Sequence, residues 1–263
     1  MKLEDATVLV VDDEKDLREI FGAWLGRKGC RVLTAQNGEE ALKVLEREKI
    51  DVLVSDIRMP IMGGVALVRA VYERKLRIPS IIFVSGFGDV EPREMYGLGV
   101  ELLMEKPLSR KDLLRALEES LMEREELWRT PSDLPMAQSV TVEFGCLEDA
   151  LRHCDFQLGR GGCCFRAGRM LLEEKTVDLT VHFLREGFTL KTQGMVRWTM
   201  EKTLQAGITF DYLDPECRDW VIGAMHGRLS RSFIPPCDWS LCEPLSVTGT
   251  IESPDTGKLS TQP

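Results

Sequence analysis

Four short apolar runs each lead straight into a residue with chemistry to offer. Thr7-Val-Leu-Val-Val11 precedes Asp12-Asp13, Asp51-Val-Leu-Val-Ser55 precedes Asp56, Ile81-Ile-Phe-Val84 precedes Ser85, and Val100-Glu-Leu-Leu-Met104 precedes Glu105-Lys106. Helical patterning lies between them. Leu17, Ile20, Phe21, Trp24 and Leu25 make one apolar stripe. Asn37 with Glu40 reads as a capped helix start after a second strand at Arg31–Ala35, and Ser109 with Asp112 as another, followed by Leu113, Leu114, Leu117 and Leu121 on one face. Strands that end in polar groups and alternate with helices predict a doubly wound α/β layer with its site at the carboxyl edge of a parallel sheet. Three carboxylates, a hydroxyl and an ammonium gathered there can hold a divalent cation and a phosphoryl group.

The pattern changes further along. Glu118 to Arg129 keeps strong helix formers until Pro131 and Pro135, which predicts a helical connector over residues 118–130. From Ser139 the period becomes two. Val140–Phe144, Thr176–Phe183, Phe188–Thr192, Met195–Trp198 and Ala206–Tyr212 alternate apolar and polar residues, so residues 131–230 are expected to form an antiparallel all-β small barrel. Asp214-Pro215 opens a C-terminal helix through about Leu229. Residues 231–263 are rich in Pro, Ser and Thr and are expected to be a largely disordered tail, with a docked stretch around Phe233 to Trp239 as the exception.

Composition removes several function classes. The 263 residues carry a formal charge of −9, split as −4 for residues 1–129 and −5 for 130–263, so neither half has the basic footprint of a DNA-binding domain. The acidic start Met-Lys-Leu-Glu-Asp has no apolar signal core and no run is long enough to span a bilayer, which predicts a cytoplasmic protein without membrane insertion. The eight cysteines form no Cys-x2-Cys pair, and His153, His182 and His226 are scattered. Metal-ligand spacing is therefore absent, and the cysteines are expected to be reduced, buried, apolar side chains. Cys163 and Cys164 should point to opposite faces of a strand.

Asp12, Asp13, Asp56, Ser85 and Lys106, with Asp56-x-x-Met59-Pro60 and Lys106-Pro107, resemble the receiver domain of two-component response regulators, over residues 5 to about 121. The resemblance implies a flavodoxin-like domain spanning 1–121 with strand order 2-1-3-4-5. It implies that Asp56 is the phospho-acceptor, that Asp13 and Asp56 ligate Mg2+ directly, and that Asp12 does so through water and Arg58 through its backbone carbonyl. Lys106 and Ser85 would contact phosphoryl oxygens, and the Lys-Pro bond would be cis. Partners implied are a sensor histidine kinase, a downstream protein, and a second copy docking through the last receiver helix and connector. No enzymatic activity is expected beyond self-catalysed phosphoryl transfer to Asp56 and its hydrolysis. One departure stands out: the family usually places Tyr or Phe three residues before the lysine, as a switch moving with the hydroxyl, and here that residue is Leu103.

The second half resembles a PilZ domain, a small β-barrel that often binds cyclic di-GMP. The resemblance rests on Arg129-Thr-Pro131, Leu134-Pro135, Gly159-Arg-Gly161-Gly162, Gly194-Met-Val-Arg-Trp198 and Ala206-Gly207-Ile-Thr-Phe210. Nucleotide binding in that family uses Arg-x-x-x-Arg and Asp/Asn-x-Ser-x-x-Gly. Here Arg129 matches the second arginine, Glu125 takes the first position, and Arg124 lies one residue out of register. Gln157 and Gly159 replace the acid and the serine, with Gly162 kept and Arg160 between them. The reading is a response regulator whose PilZ-like domain acts through protein contacts, in motility, polarity or surface behaviour. The alternative is a cyclic di-GMP receptor that integrates both signals through Arg124, Arg129, Gln157, Gly159, Arg160 and Gly162.

Overall fold

The computed structural model describes residues 1–86, 91–122, 126–129, 131, 135–226 and 232–235. The first sheet carries β1 (Thr7–Val11), β2 (Arg31–Ala35), β3 (Val52–Asp56), β4 (Ser80–Ser85) and β5 (Leu102–Glu105), with α1 (Lys15–Gly26), α2 (Gly38–Arg47), α3 (Gly64–Glu73), α4 (Pro92–Leu98) and α5 (Arg110–Ser120) between them. All strands run parallel in the order β2-β1-β3-β4-β5. The central runs are mostly apolar because helices cover both faces. Alternate residues divide between two cores. Val8, Val10, Val52, Val54, Ile82 and Val84 pack with Phe21, Leu25, Leu113 and Leu117 of α1 and α5. Leu9, Val11, Leu53, Ile81 and Phe83 pack with Leu42, Leu67, Val68 and Met95 of α2, α3 and α4.

Helix starts follow the sequence closely. Asn37 Oδ1 accepts the Glu40 amide at 3.0 Å, and Ser109 Oγ accepts the Asp112 amide at 3.1 Å. The expected helical connector over 118–130 is corrected. Helix α5 ends at Ser120, and residues 126–128 form a turn. Good helix formers lose here because the last carbonyls have other donors. The Met1 ammonium donates to the Leu121 carbonyl at 3.0 Å, Ser80 Oγ to that of Ser120 at 3.2 Å, and Ser120 Oγ to that of Leu117 at 3.1 Å.

The second sheet comprises β6 (Gln138–Phe144), β7 (Phe156–Leu158), β8 (Gly162–Arg166), β9 (Thr176–Phe183), β10 (Phe188–Met200) and β11 (Gln205–Leu213), with α6 (Leu147–Arg152) after β6 and α7 (Pro215–His226) at the end. Its order is β6-β9-β10-β11-β8-β7. Two expectations change. The runs at Phe188–Thr192 and Met195–Trp198 are one strand, bent by register shifts at Gln193/Gly194 and Val196/Trp198 that break the period of two. The sheet is not wholly antiparallel, because β6 pairs with β9 in parallel. The excursion through α6, β7 and β8 is long enough for the chain to re-enter beside β6 in the same direction. The edges curl together: Phe144 of β6 lies 6.3 Å from Phe156 of β7, and Phe156 meets Phe183 edge-on at 5.4 Å.

Cys30, Cys146, Cys154, Cys163 and Cys217 are buried thiols, and burial pushes Cys30, Cys163 and Cys217 above the ordinary thiol pKa. Cys164 departs from the expectation of reduced cysteines: it is disulfide-bonded. As expected, Cys163 and Cys164 face opposite ways, one into the β-domain core and the other into a cluster with Tyr96 and Trp198. Among the described residues no helix is long and apolar enough to cross a membrane.

Two glycine substitutions should act with opposite sign. A Cβ on Gly207 would stand 2.1 Å from Cε2 of buried Trp198, whereas one on Gly223 in α7 meets nothing within 4 Å. Gly207→Ala should lose about 1–3 kcal/mol to overpacking. Gly223→Ala should gain roughly 0.5–1 kcal/mol from helix propensity. Urea unfolding followed by tryptophan fluorescence measures both.

Candidate functional site

Parallel register brings the polar strand ends level. Val11 pairs with Ser55, Asp56 with Val84, and Ser85 with Glu105, so Asp12, Asp56, Ser85 and Lys106 meet at one edge. Asp12, Asp56 and Ser85 are 1%, 8% and 9% exposed, while Asp13 opens to solvent. The Lys106 ammonium donates to Asp12 Oδ2 at 3.0 Å and Asp56 Oδ2 at 2.5 Å. Glu14 Oε1 lies 3.7 Å from it. The Lys106–Pro107 peptide is cis.

The remaining carboxylate oxygens are held by backbone. Asp12 Oδ1 accepts the Glu14 amide at 2.8 Å, and Asp56 Oδ1 accepts the Arg58 amide at 3.0 Å. Each acid is therefore oriented by the turn that follows its own strand. Close packing behind Asp56 comes from Gly64, where a Cβ would stand 2.5 Å from the Asp56 carbonyl. Arg18 on α1 donates to the carbonyls of Asp12 at 2.6 Å and Asp13 at 3.0 Å. Sequence reasoning missed Arg18, because nothing in its spacing shows that the first turn of α1 folds back over the strand end.

Burial raises the Asp12 pKa above the ordinary value, against the hydrogen bonds from Lys106 and the Glu14 amide, and the Asp56 charge adds to the rise. Burial also works against the Lys106 ammonium, but the hydrogen bonds to Asp56 and Asp12 outweigh it and hold that pKa up. Lys106 is thus the counter-ion that makes two buried carboxylates tolerable. Ligand oxygens of Asp12, Asp13 and Asp56 lie within 4.8 Å of one another. An all-oxygen set with two buried members and one open to water suits a hard cation that keeps part of its hydration shell. Ser85 Oγ donates to the Gly86 carbonyl at 2.8 Å, so the hydroxyl is turned into its own loop.

Leu103 lies partly buried on β5 and packs in two clusters at once. One is the receiver core around Phe83 and Met95, and the other joins Tyr96, Cys164, Trp198 and Ile234. The second cluster is a seam between the two sheets' domains.

Among the described residues of the expected nucleotide motif, Gln157, Gly159, Arg160 and Gly162 each meet other parts of the chain. Arg124 lies outside the described residues, and Arg129 is exposed beside the Trp128 turn. Gln157 is buried and donates to the Leu151 carbonyl at 2.8 Å, inside its own domain. Gly162 is pressed against the Ile208 carbonyl, where a Cβ would stand at 1.9 Å. Gly159 and Gly161 face Phe233. Arg160 reaches across the seam to Glu101 Oε1 at 3.0 Å and the Gly99 carbonyl at 2.9 Å.

Comparison with known proteins agrees with the first sheet. The response regulator receiver domain model matches residues 8–118. The transcriptional regulatory protein FixJ of Rhizobium meliloti (strain 1021) is 32% identical over 151 residues, 57% of this chain and 72% of FixJ. The transcriptional regulatory protein GlrR of Escherichia coli (strain K12) is 32% identical over 133 residues, 49% of this chain and 30% of GlrR. The chain thus spans less than a third of that relative's length. The structure of the response regulator TrrA from Thermotoga maritima, in complex with Mg2+ and BeF, matches 44% of this chain and 100% of its own at 26% identity, with a TM-score of 0.41. With the family model on residues 8–118 and most of FixJ covered, the chain belongs to the response regulators through its receiver domain.

Proposed function

We propose that the chain is the phospho-acceptor of a two-component relay and that Asp56 carries the phosphoryl group. The observation behind this reading is the Lys106 ammonium held between Asp12 and Asp56 at the edge where Ser85 also ends its strand. A carboxylate oxygen of Asp56 attacks the phosphorus of a kinase phosphohistidine. The P–N bond breaks, its electron pair leaves with the imidazole, and an acyl phosphate remains until water hydrolyses it. The Arg58 amide holds one Asp56 oxygen and so fixes the attacking carboxylate. Lys106, already bonded to Asp56, is placed to follow the new negative charge onto a phosphoryl oxygen. Ser85 needs only to leave the Gly86 carbonyl to donate to another. Mg2+ bound by Asp12, Asp13, Asp56 and the Arg58 backbone carbonyl would neutralise the charge that otherwise repels a phosphoryl dianion.

Residues 131–230 then serve as a PilZ-like output domain working through protein contacts, joined by residues 118–130 to a receiver over 1–121. The site geometry favours this over cyclic di-GMP binding. Arg160 is engaged with Glu101 and Gly99, and Gln157 with Leu151. A nucleotide would have to displace these contacts.

Phosphoryl uptake from labelled acetyl phosphate should be stoichiometric in the natural chain and absent in Asp56→Asn; full labelling of that variant would refute the assignment. Lys106→Ala should still take up label, yet its backbone amide shifts near Ser85 should move far less than in the natural chain. Calorimetry with cyclic di-GMP should register no binding heat, and micromolar or tighter binding would favour the second-messenger reading.

A further inference from the structure

Ser232–Pro235 crosses the seam as a strap bonded to both domains. The Phe233 N–H donates to the Tyr96 carbonyl of α4 at 2.9 Å, and Ser232 Oγ donates to that of Gly97 at 2.8 Å. On the other side, the Gly161 N–H donates to the Phe233 carbonyl at 3.0 Å and the Arg160 N–H to the Ser232 carbonyl at 3.1 Å. The backbone of one residue, Phe233, is thus shared between receiver and β domain. Its ring stacks 6.3 Å from Tyr96 with the Arg160 guanidinium 6.0 Å above, and Ile234 is 0% exposed among Tyr96, Cys164 and Trp198.

The glycine turn is shaped for this occupant. A Cβ at Gly161 would fall 1.9 Å from the Phe233 ring, and one at Gly159 would fall 2.3 Å from the Phe233 carbonyl. The turn that resembles a nucleotide loop with its hydroxyl removed is therefore a seat for an aromatic residue and the backbone beside it.

The geometry points to a self-occupied peptide groove. We infer that the β7–β8 turn binds an extended peptide bearing aromatic, aliphatic and proline residues in sequence. Its resting occupant is Ser232–Pro235, which keeps the β domain closed against α4. Release is tied to the phospho-acceptor site, and this part rests on the reading of Asp56 above. Ser85 is bonded to Gly86 at the start of the connection into α4, and α4 supplies both carbonyls that hold the strap. Leu103 touches both the receiver core and the strap's cluster. A hydroxyl drawn towards Asp56 loosens the first connection, and a shift of α4 removes two of the strap's four hydrogen bonds. The groove then opens to a partner's peptide of the same chemistry.

The test uses a fluorescent peptide of residues 231–236, Arg-Ser-Phe-Ile-Pro-Pro, and the full-length chain in reducing buffer so that Cys164 is a thiol. Phe233→Ala, whose groove has lost its occupant, should bind the peptide about tenfold more tightly than the natural chain. Phe233→Ala combined with Gly161→Ala should lose that binding. Hydrogen exchange at residues 232–235 should accelerate in Tyr96→Ala. Mg2+ with beryllofluoride should raise peptide affinity of the natural chain towards that of Phe233→Ala, and Asp56→Asn should not respond. Equal peptide affinity in the natural chain and Phe233→Ala, or exchange in 232–235 unaffected by Tyr96→Ala, overturns the strap. An unchanged peptide affinity in a chain whose Asp56 is shown to be modified overturns the gating. The peptide and Tyr96→Ala arms need no modification at Asp56, so an inert Asp56 would refute the phosphorylation reading and leave these arms to decide the strap.

Discussion

Two carboxylates that water barely reaches share a single ammonium, and the N-terminal domain is arranged around that fact. Asp12 and Asp56 lie at the ends of neighbouring, mostly apolar strands and are 1% and 8% exposed, so little solvent spreads their charge. Breaking such a cluster by removing its cation costs several kcal/mol, because the anions stay behind. Lys106 follows β5 directly, and β5 ends level with β4, which places the ammonium within reach of both. A site that needs a cation at rest is also prepared for further positive charge. The same Coulombic demand that holds Lys106 attracts a metal ion, and it leaves the ammonium mobile once other positive charge arrives.

That arrangement was readable because a parallel sheet covered on both faces writes itself as apolar runs, with the functional residue next in the chain. Val8 to Val11 and Ile81 to Val84 needed no partner to be recognised. The β domain was harder. Strand β7 has three residues, too few to show a period, and β10 changes phase at its bulges. The end of α5 is met by groups far along the chain, among them the Met1 ammonium, 120 positions away from the Leu121 carbonyl it bonds. The seam was legible only in part: a docked stretch at Phe233 was expected, but not that it meets Tyr96, Arg160 and Trp198, which come from separate stretches.

The seam also changes how two sequence departures should be understood. Leu103 stands where the resemblance to receiver domains implies an aromatic ring, and here it packs on a cluster that already holds a tyrosine, a tryptophan and a phenylalanine. A ring at 103 would compete for space that the packed domains fill. Gly159, read as the loss of a ligand hydroxyl, has the Phe233 carbonyl where its side chain would be. Both positions border the same seam, where a chain segment docks between the domains.

The closed seam is not optimally satisfied. Trp198 Nε1, on the strand that meets α4, is buried without a hydrogen-bond partner, and so is Arg93 Nη1 on α4 itself. A buried donor left unpaired costs about 1–3 kcal/mol. The Trp198 donor lies in the seam cluster, so its unmet hydrogen bond weakens the seam. The strap's backbone bonds and the burial of Ile234 act in the opposite direction. On the gating proposed above, a balance of this kind would let a change of a few kcal/mol at Asp56 shift the population substantially. A seam with every donor met would hold the β domain whatever happened at the sheet edge.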